Sequence, residues 1–172
     1  QMRGGPLLPW DFSQLGELLF THYGISGPLV LSLSARINRI PLNEISLAID
    51  FKPALDEKML EERLLRDFAD RKNEQMKNVM RGLLPAGLTG IVLRAASVSA
   101  SKQANAVTKE ERRRIVGALK AFSLDPVRLR GFTEAVITSG GVDVREIDPA
   151  TMQSKRVKGL FFCGEVLDCD AY

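Results

Sequence analysis

Three carboxylates, Glu165, Asp168 and Asp170, stand close together just after the apolar run Gly159-Leu160-Phe161-Phe162-Cys163. Such a run reads as a buried strand, and in open α/β sheets ligands collect beyond the carboxyl ends of strands. Carboxylates placed there accept hydrogen bonds from ribose or ribitol hydroxyls; the plainer alternative is a solvated acidic loop. The single histidine, His22, precedes Gly24-Ile25-Ser26-Gly27-Pro28. That stretch looks like a nucleophile elbow but lacks the G-x-S-x-G spacing between strand and helix. A Ser–His–Asp site would need Ser26 or Ser32 with His22, and the spacing does not support one. His22 is either a proton donor beside a ligand or a residue anchoring the turn. Arg112-Arg113-Arg114 follows Glu110 and Glu111, which reads as a solvated helix face with i, i+4 pairs such as Glu110 to Arg114. A nucleic-acid patch would interleave aromatic residues for stacking, and none are there. Cys163 and Cys169 with one histidine make no zinc set, so no metal site is expected and free thiols are the simplest reading. No phosphate-cradling G-x-G-x-x-G or G-K-[ST] loop is present.

The elements that must carry these residues follow from periodicity. Residues 1–14 read as loop or hairpin, and Glu17–Thr21 as a short buried strand. Pro28 suits the first position of a helix, with Leu29, Val30, Leu33 and Ile37 as its buried stripe. From Glu44 to Phe51 apolar and polar residues alternate, as in a half-buried strand. The middle is helical. Asp56 is an N-cap ahead of Leu60, Leu64 and Phe68. Lys77–Leu84 makes a helical turn or two, and Pro85 starts a helix whose face is Leu88, Ile91, Val92 and Ala95. Thr108-Lys109-Glu110-Glu111 is a capping box ahead of the stripe Ile115, Leu119 and Phe122. Period two then returns across Phe132–Thr138. Gly140-Gly141 is a tight turn using positive φ, Val142–Ile147 a short strand, and Asp148-Pro149 a turn. Gly159–Val166 is apolar on both faces, as in a parallel strand covered on both sides. The expected fold class is α+β: an antiparallel β-barrel-like part from 1–55 and 123–150, a small α-helical bundle at 56–122, and a terminal strand at 151–172.

Composition sets the outer bounds. The 172 residues are 45% hydrophobic and 26% charged, which excludes a disordered chain, a collagen and a membrane bundle. Net charge is +3, unevenly spread. Lys52–Phe122 holds 15 basic and 9 acidic residues, a net of +6, against 9 and 12 elsewhere, a net of −3. A middle segment with its own charge balance suggests a separately folded insertion; by itself it does not argue a nucleic-acid partner. The opening Gln1–Pro6 lacks the apolar core of a signal peptide. A chain that starts on Gln1 and stops on Tyr172, just past a strand-like run, is expected to be a piece of something longer.

Three stretches together resemble one family. They are Gly16-Glu17-Leu18-Leu19-Phe20-Thr21-His22-Tyr23-Gly24-Ile25-Ser26-Gly27-Pro28, then Val136-Ile137-Thr138-Ser139-Gly140-Gly141-Val142, then Thr151-Met152-Gln153-Ser154-Lys155 running on through Gly159–Asp168. They resemble the BaiN/YhiN-like, or aminoacetone-oxidase-like, bacterial FAD-binding flavoproteins, and Leu83-Leu84-Pro85 is also similar. The resemblance implies an FAD-binding Rossmann-type domain carrying a large insertion with a barrel-like and a helical part. This chain would be the insertion plus the first strand on return. The family's N-terminal dinucleotide fingerprint and its GG-[YF]-N stretch lie outside this sequence.

The resemblance also implies roles. Glu165 and Asp168 would sit beside the FAD ribitol and pyrophosphate. Thr21, His22, Gly24, Ser26 and Gly27 would form a loop facing the flavin ring. Gly140 and Gly141 would let backbone approach closely, and the helical part would cover the substrate side. FAD is then the cofactor of the longer protein, an NAD(P)H-linked oxidoreductase of the cytoplasm. The piece itself is expected to hold no cofactor and be catalytically silent. Its partners would be the rest of its own FAD-binding domain and a small-molecule substrate, with no nucleic acid and no membrane. The alternative is a stand-alone RNA- or protein-binding module built on a small barrel and basic helices.

Overall fold

A computed structural model of the chain describes residues 2–4, 12–136 and 138–169. The chain divides into two compact units, Gln1–Gly16 with Asn43–Pro126, and Glu17–Leu42 with Val127–Tyr172.

The first unit joins a small sheet to a helical core. Strands β1 (Met2–Gly4), β4 (Leu47–Ile49) and β5 (Phe122–Leu124) form an antiparallel sheet in the order β1-β4-β5, with Met2 opposite Ile49 and Leu47 opposite Leu124. Strand β4 is shorter than the alternation from Glu44 to Phe51 predicts, because Leu42–Glu44 is a 3-10 turn. The alternation itself holds: Leu47 and Ile49 are buried while Ala48 between them is half-buried. Helix α2 (Glu57–Asp70) starts where Asp56 accepts a hydrogen bond from the Met59 amide at 2.7 Å. Its residues Leu60, Leu64 and Phe68 turn inward. Helix α5 (Lys109–Lys120) starts with the expected capping box. The Glu111 amide donates to Thr108 Oγ1 at 3.2 Å, and the Thr108 amide donates to Glu111 Oε2 at 2.8 Å. Ile115 and Leu119 enter the core shared with α2, while Phe122 is half-buried on β5.

Helix α3 (Met76–Val79) runs on into a 3-10 turn, Met80–Gly82, and Met76, Val79 and Met80 are fully buried. Helix α4 (Ala86–Ala95) follows Pro85. Its buried face is Thr89, Val92 and Leu93 with the following Ala96, whereas Ile91 and Ala95, expected inside, are exposed. The apolar run Ile91-Val92-Leu93 fits two adjacent faces. The inner one accommodates Thr89 because its hydroxyl donates to the Ala86 carbonyl at 2.9 Å, which meets the burial requirement locally. The turns before α3 and after α4 are stitched together by main-chain bonds. Met76 donates to Lys102, Lys77 to Ala100, Ala104 to Glu74 and Asn105 to Lys72, all at 2.8 to 3.0 Å. Sheet and helices are tied by Lys120, whose Nζ reaches Asp50 Oδ2 and the Leu55 carbonyl at 2.6 Å and the Lys52 carbonyl at 3.1 Å.

The second unit is looser. Strands β2 (Leu19–Thr21) and β3 (Gly24–Ser26) form an antiparallel hairpin. The strand expected to be buried at Glu17–Thr21 is instead open, with Leu19 59% exposed. Helix α1 (Pro28–Ile37) has Pro28 in its first turn as expected and buries Leu29, Leu33 and Ile37. Three further strand expectations are not met among the described residues. Phe132–Glu134 is a turn, with the Glu134 amide donating to Gly131 O at 2.9 Å and Phe132 85% exposed; Ile137 lies outside the described residues. Val144–Glu146 is a 3-10 turn flanked by single bridges from Val142 to Leu167 and from Ile147 to Ser154. Gly159–Val166 makes one bridge, Phe161 to Gln153, then a 3-10 turn at Gly164–Val166, and Phe161 is 60% exposed. A strand needs neighbours to hydrogen-bond and surfaces to cover it; these runs have the composition without the neighbours. Among the described residues the sheets have three and two strands and close no barrel.

Candidate functional site

The site begins with glycine geometry. Gly140 and Gly141 both take positive φ, 102° and 155°. Around Gly140 nothing among the described residues lies within 4 Å of where a Cβ would be, so there is room beside its backbone. Gly141 is the opposite. A Cβ there would fall on the Val166 carbonyl oxygen and lie 2.9 Å from the Asp168 amide nitrogen. This close approach lets the Val142 amide donate to Val166 O at 2.8 Å and the Asp168 amide donate to Val142 O at 2.9 Å, the parallel bridge of Val142 with Leu167. The glycine pair and the acidic loop, far apart in sequence, thus lie side by side.

On that loop Gly164, at φ 75°, opens the 3-10 turn and sends Glu165 outward. Asp168 is held by Arg39, just beyond α1. The guanidinium Nη2 donates to its two carboxylate oxygens at 3.0 and 3.3 Å. Cys163 and Cys169 are free and exposed. Asp170 lies outside the described residues. The neighbouring turn is electrostatically set: the Arg145 guanidinium and amide beside Asp143 hold its carboxyl below the usual aspartate range. Asp148, accepting from the Ala150 amide, is lowered likewise.

The other predicted residues gather on the β2–β3 hairpin. Thr21 pairs with Gly24, and its hydroxyl donates to the Gly24 carbonyl at 3.0 Å. His22 and Tyr23 form the exposed tip, their rings edge to face at 4.9 Å. Arg130 lies over the Tyr23 ring, Cζ 3.9 Å from its centroid, and pairs with Glu134 at 2.6 Å. Ser26 faces Leu19 across the hairpin. Gly27 is buried at φ 99°, where a Cβ would come 3.2 Å from the Glu17 carbonyl oxygen and the Leu19 amide nitrogen. That glycine lets α1 start tight against the hairpin, the Leu29 amide donating to Glu17 O at 3.1 Å. The structure therefore gathers Thr21, His22, Gly24, Ser26 and Gly27 in one hairpin, and Gly140, Gly141, Glu165 and Asp168 in one junction. Sequence reading missed Arg39, Tyr23 and Arg130. Arg39 meets a partner 129 residues away, and no spacing signals that. Arg112, expected on a solvated face, instead pairs across helices with Glu61 at 3.1 Å, and Arg114 donates to the Ala96 carbonyl. Among the described residues no three of His, Cys, Asp and Glu cluster in a way that could hold a metal ion, and no helix is long and apolar enough to cross a membrane.

The arrangement can accept hydroxyl hydrogen bonds at Glu165 and Asp168 and admit a ligand against the Gly140 backbone. A strand–loop–helix phosphate cradle is not among the described residues.

Comparison with known proteins shows a family. A family model described as HI0933-like protein barrel and H2TH domain matches residues 11–137. The chain is 34% identical over 152 residues to the ribosomal RNA dihydrouridine synthase of Haemophilus influenzae, and 32% over 154 residues to that of Escherichia coli. It is 25% identical over 157 residues to the 3-dehydro-bile acid delta(4,6)-reductase of Clostridium scindens. These matches cover 88 to 90% of this chain and 36 to 38% of each relative. The chain thus spans a little over a third of the length of the curated relatives it matches.

Proposed function

This chain belongs to the HI0933-like family, the BaiN/YhiN-like group its motifs resemble, and from that premise we propose that it is a domain of an FAD-dependent oxidoreductase that reduces a conjugated ring double bond. Dihydrouridine is uridine with its ring double bond reduced, and a delta(4,6)-reductase by its name reduces ring double bonds; the chemistry common to both names is hydride addition to a conjugated C=C. The flavin supplies that hydride transfer when bound. This chain's residues bind and orient. Glu165 and Asp168 accept from ribityl hydroxyls, the open Gly140 backbone borders the nucleotide, and the hairpin tip at His22 and Tyr23 approaches the ring. NAD(P)H is the electron donor in this reading.

The observation that carries the proposal is the junction of Gly141 with Val166–Asp168. It brings together the two motif stretches that the family resemblance assigns to the cofactor. The exposed apolar run Gly159–Val166 supports it too, because Phe161 and Leu160 then face the flavin-holding part of the longer protein. In this reading the chain is organised as a helical excursion at 56–122, barrel-like stretches at 1–55 and 123–150, and a return segment at 151–172.

For the substrate, the relatives named for ribosomal RNA share more identity than the bile-acid reductase, and the segment Lys52–Phe122 carries a net +6. The first favours a uracil ring carried by RNA over a free small molecule, setting aside the expectation of no nucleic-acid partner, and the second is compatible with it. The test uses the full-length protein. It should be yellow, bleach with NADPH or NADH, and regain its colour on addition of unmodified ribosomal RNA transcript, with dihydrouridine detected by mass spectrometry. A full-length protein that takes up no flavin refutes the proposal. A flavoprotein reoxidised by steroid enones and not by RNA refutes the substrate assignment alone.

A further inference from the structure

Resting on that reading, in which the Asp168 loop accepts hydroxyls of a flavin nucleotide, we infer that Arg39 is the phosphate-binding residue of the same site. Asp168 is fixed from two directions. Its amide donates to Val142 O at 2.9 Å, and its carboxylate receives Arg39 Nη2 at 3.0 and 3.3 Å. A guanidinium carries five N–H donors in a planar fork. Among the described residues only Nη2 of Arg39 is engaged, and the side chain is 67% exposed. The donors on Nε and Nη1 therefore remain for a ligand at the edge of the carboxylate.

Two complementary demands meet at this point. A planar fork with unspent donors suits the oxygens of a phosphate, which takes such a fork bidentately. The neighbouring carboxylate suits hydroxyls and repels phosphate. A ligand with a phosphate ester a few bonds from free hydroxyls satisfies both at once, and the ribityl phosphate of a flavin nucleotide has that layout. An ion pair so exposed adds little to folding. For the same reason either partner can be changed with the fold intact. The turn at Val144–Glu146 adds no competing cation to the pair: Arg145 is spent on Asp143 and Arg156 pairs with Glu146.

The test titrates the full-length protein with FAD, and with FMN and riboflavin, which differ by the one ribityl phosphate, following flavin fluorescence. Arg39→Ala should weaken FAD and FMN about 10- to 100-fold, the range for a charge-assisted hydrogen-bond pair, and leave riboflavin unchanged. Arg39→Lys, which keeps the charge without the fork, should fall between. Asp168→Asn should weaken all three ligands. The salt dependence of FAD binding should flatten in Arg39→Ala. Equal weakening of FMN and riboflavin by Arg39→Ala overturns the assignment, reducing Arg39 to a support for Asp168, and so does unchanged FAD affinity. Should Arg39→Ala fail to fold, Arg39→Gln carries the same prediction. Wild-type protein that binds no flavin sinks the functional reading itself, whereas a silent Arg39 variant in a flavin-binding protein sinks this inference alone.

Discussion

Replacing Gly141 by alanine should open the junction at the candidate site, and replacing Gly140 should not. Both residues sit at positive φ, so each substitution incurs backbone strain of about 1–3 kcal/mol. They differ in surroundings. At Gly140 the new methyl meets nothing among the described residues within 4 Å; at Gly141 it meets the Val166 carbonyl oxygen and the Asp168 amide. These are the atoms of the two hydrogen bonds joining Val142 to Val166 and Asp168. Each such bond contributes about 1 kcal/mol net, so Gly141→Ala should cost roughly 2 kcal/mol more than Gly140→Ala. At 1.4 kcal/mol per factor of ten, that difference is about 30-fold in the opening equilibrium. The assay is hydrogen exchange at the Val142 and Asp168 amides, which should quicken by that factor more in Gly141→Ala than in Gly140→Ala. Equal exchange in the two variants would refute the claim that close packing, beyond backbone conformation, is what Gly141 provides.

Other consequences follow from the same geometry. Lys120→Met removes the cation paired with half-buried Asp50, which keeps its bond from the Lys52 amide, and two carbonyl contacts. It should destabilise the first unit by about 2–4 kcal/mol, less than a fully buried pair, in a denaturant titration; Asp50→Asn in the same chain should recover part of the loss. Thr108→Ala removes the α5 cap and should cost about 1 kcal/mol by the same measurement. Glu111 is held below the ordinary glutamate range, first by Lys102 and then by the Thr108 amide. Its folded-state value is lowered, so its contribution is complete above the ordinary value of 4.5 and is lost as pH falls through the lowered one. Glu111→Gln should therefore flatten the acid limb of stability against pH, and an unchanged slope would contradict this. Arg130→Ala removes the cation over Tyr23 and should raise exchange at the Glu134 amide severalfold, in keeping with about 0.5–1 kcal/mol.

How much could be read in advance depended on how local the cause was. Helix starts were legible because caps are short-range chemistry: Asp56, Thr108 with Glu111, and Pro28 all begin helices where their types predict. The face of α4 was misjudged, since Ile91-Val92-Leu93 is apolar on either side and the decision rests with Thr89 and its bond to Ala86. Strand readings fared worst at 132–138, 142–147 and 159–166. Alternation and apolarity describe what a strand's faces would like, whereas a ladder also needs a second segment at hydrogen-bonding distance. The site was half visible. The double glycine signalled positive φ, and the carboxylates signalled hydroxyl acceptors. What Gly141 packs against depends on a segment 25 residues further on, and that Arg39 grips Asp168 on one 129 residues away.

The seam that joins the turns around Glu74 and Gln103 is made from main-chain atoms, with Met76, Lys77, Ala104 and Asn105 as donors. Side chains at the exposed positions Lys72, Asn73, Ser101 and Gln103 can accordingly be exchanged for almost anything without loosening the rivet. Proline at any of the four donors is the exception, because it deletes the bond outright. Descendants of this scaffold can thus repaint that rim for a new client molecule while the architecture beneath stays as it was.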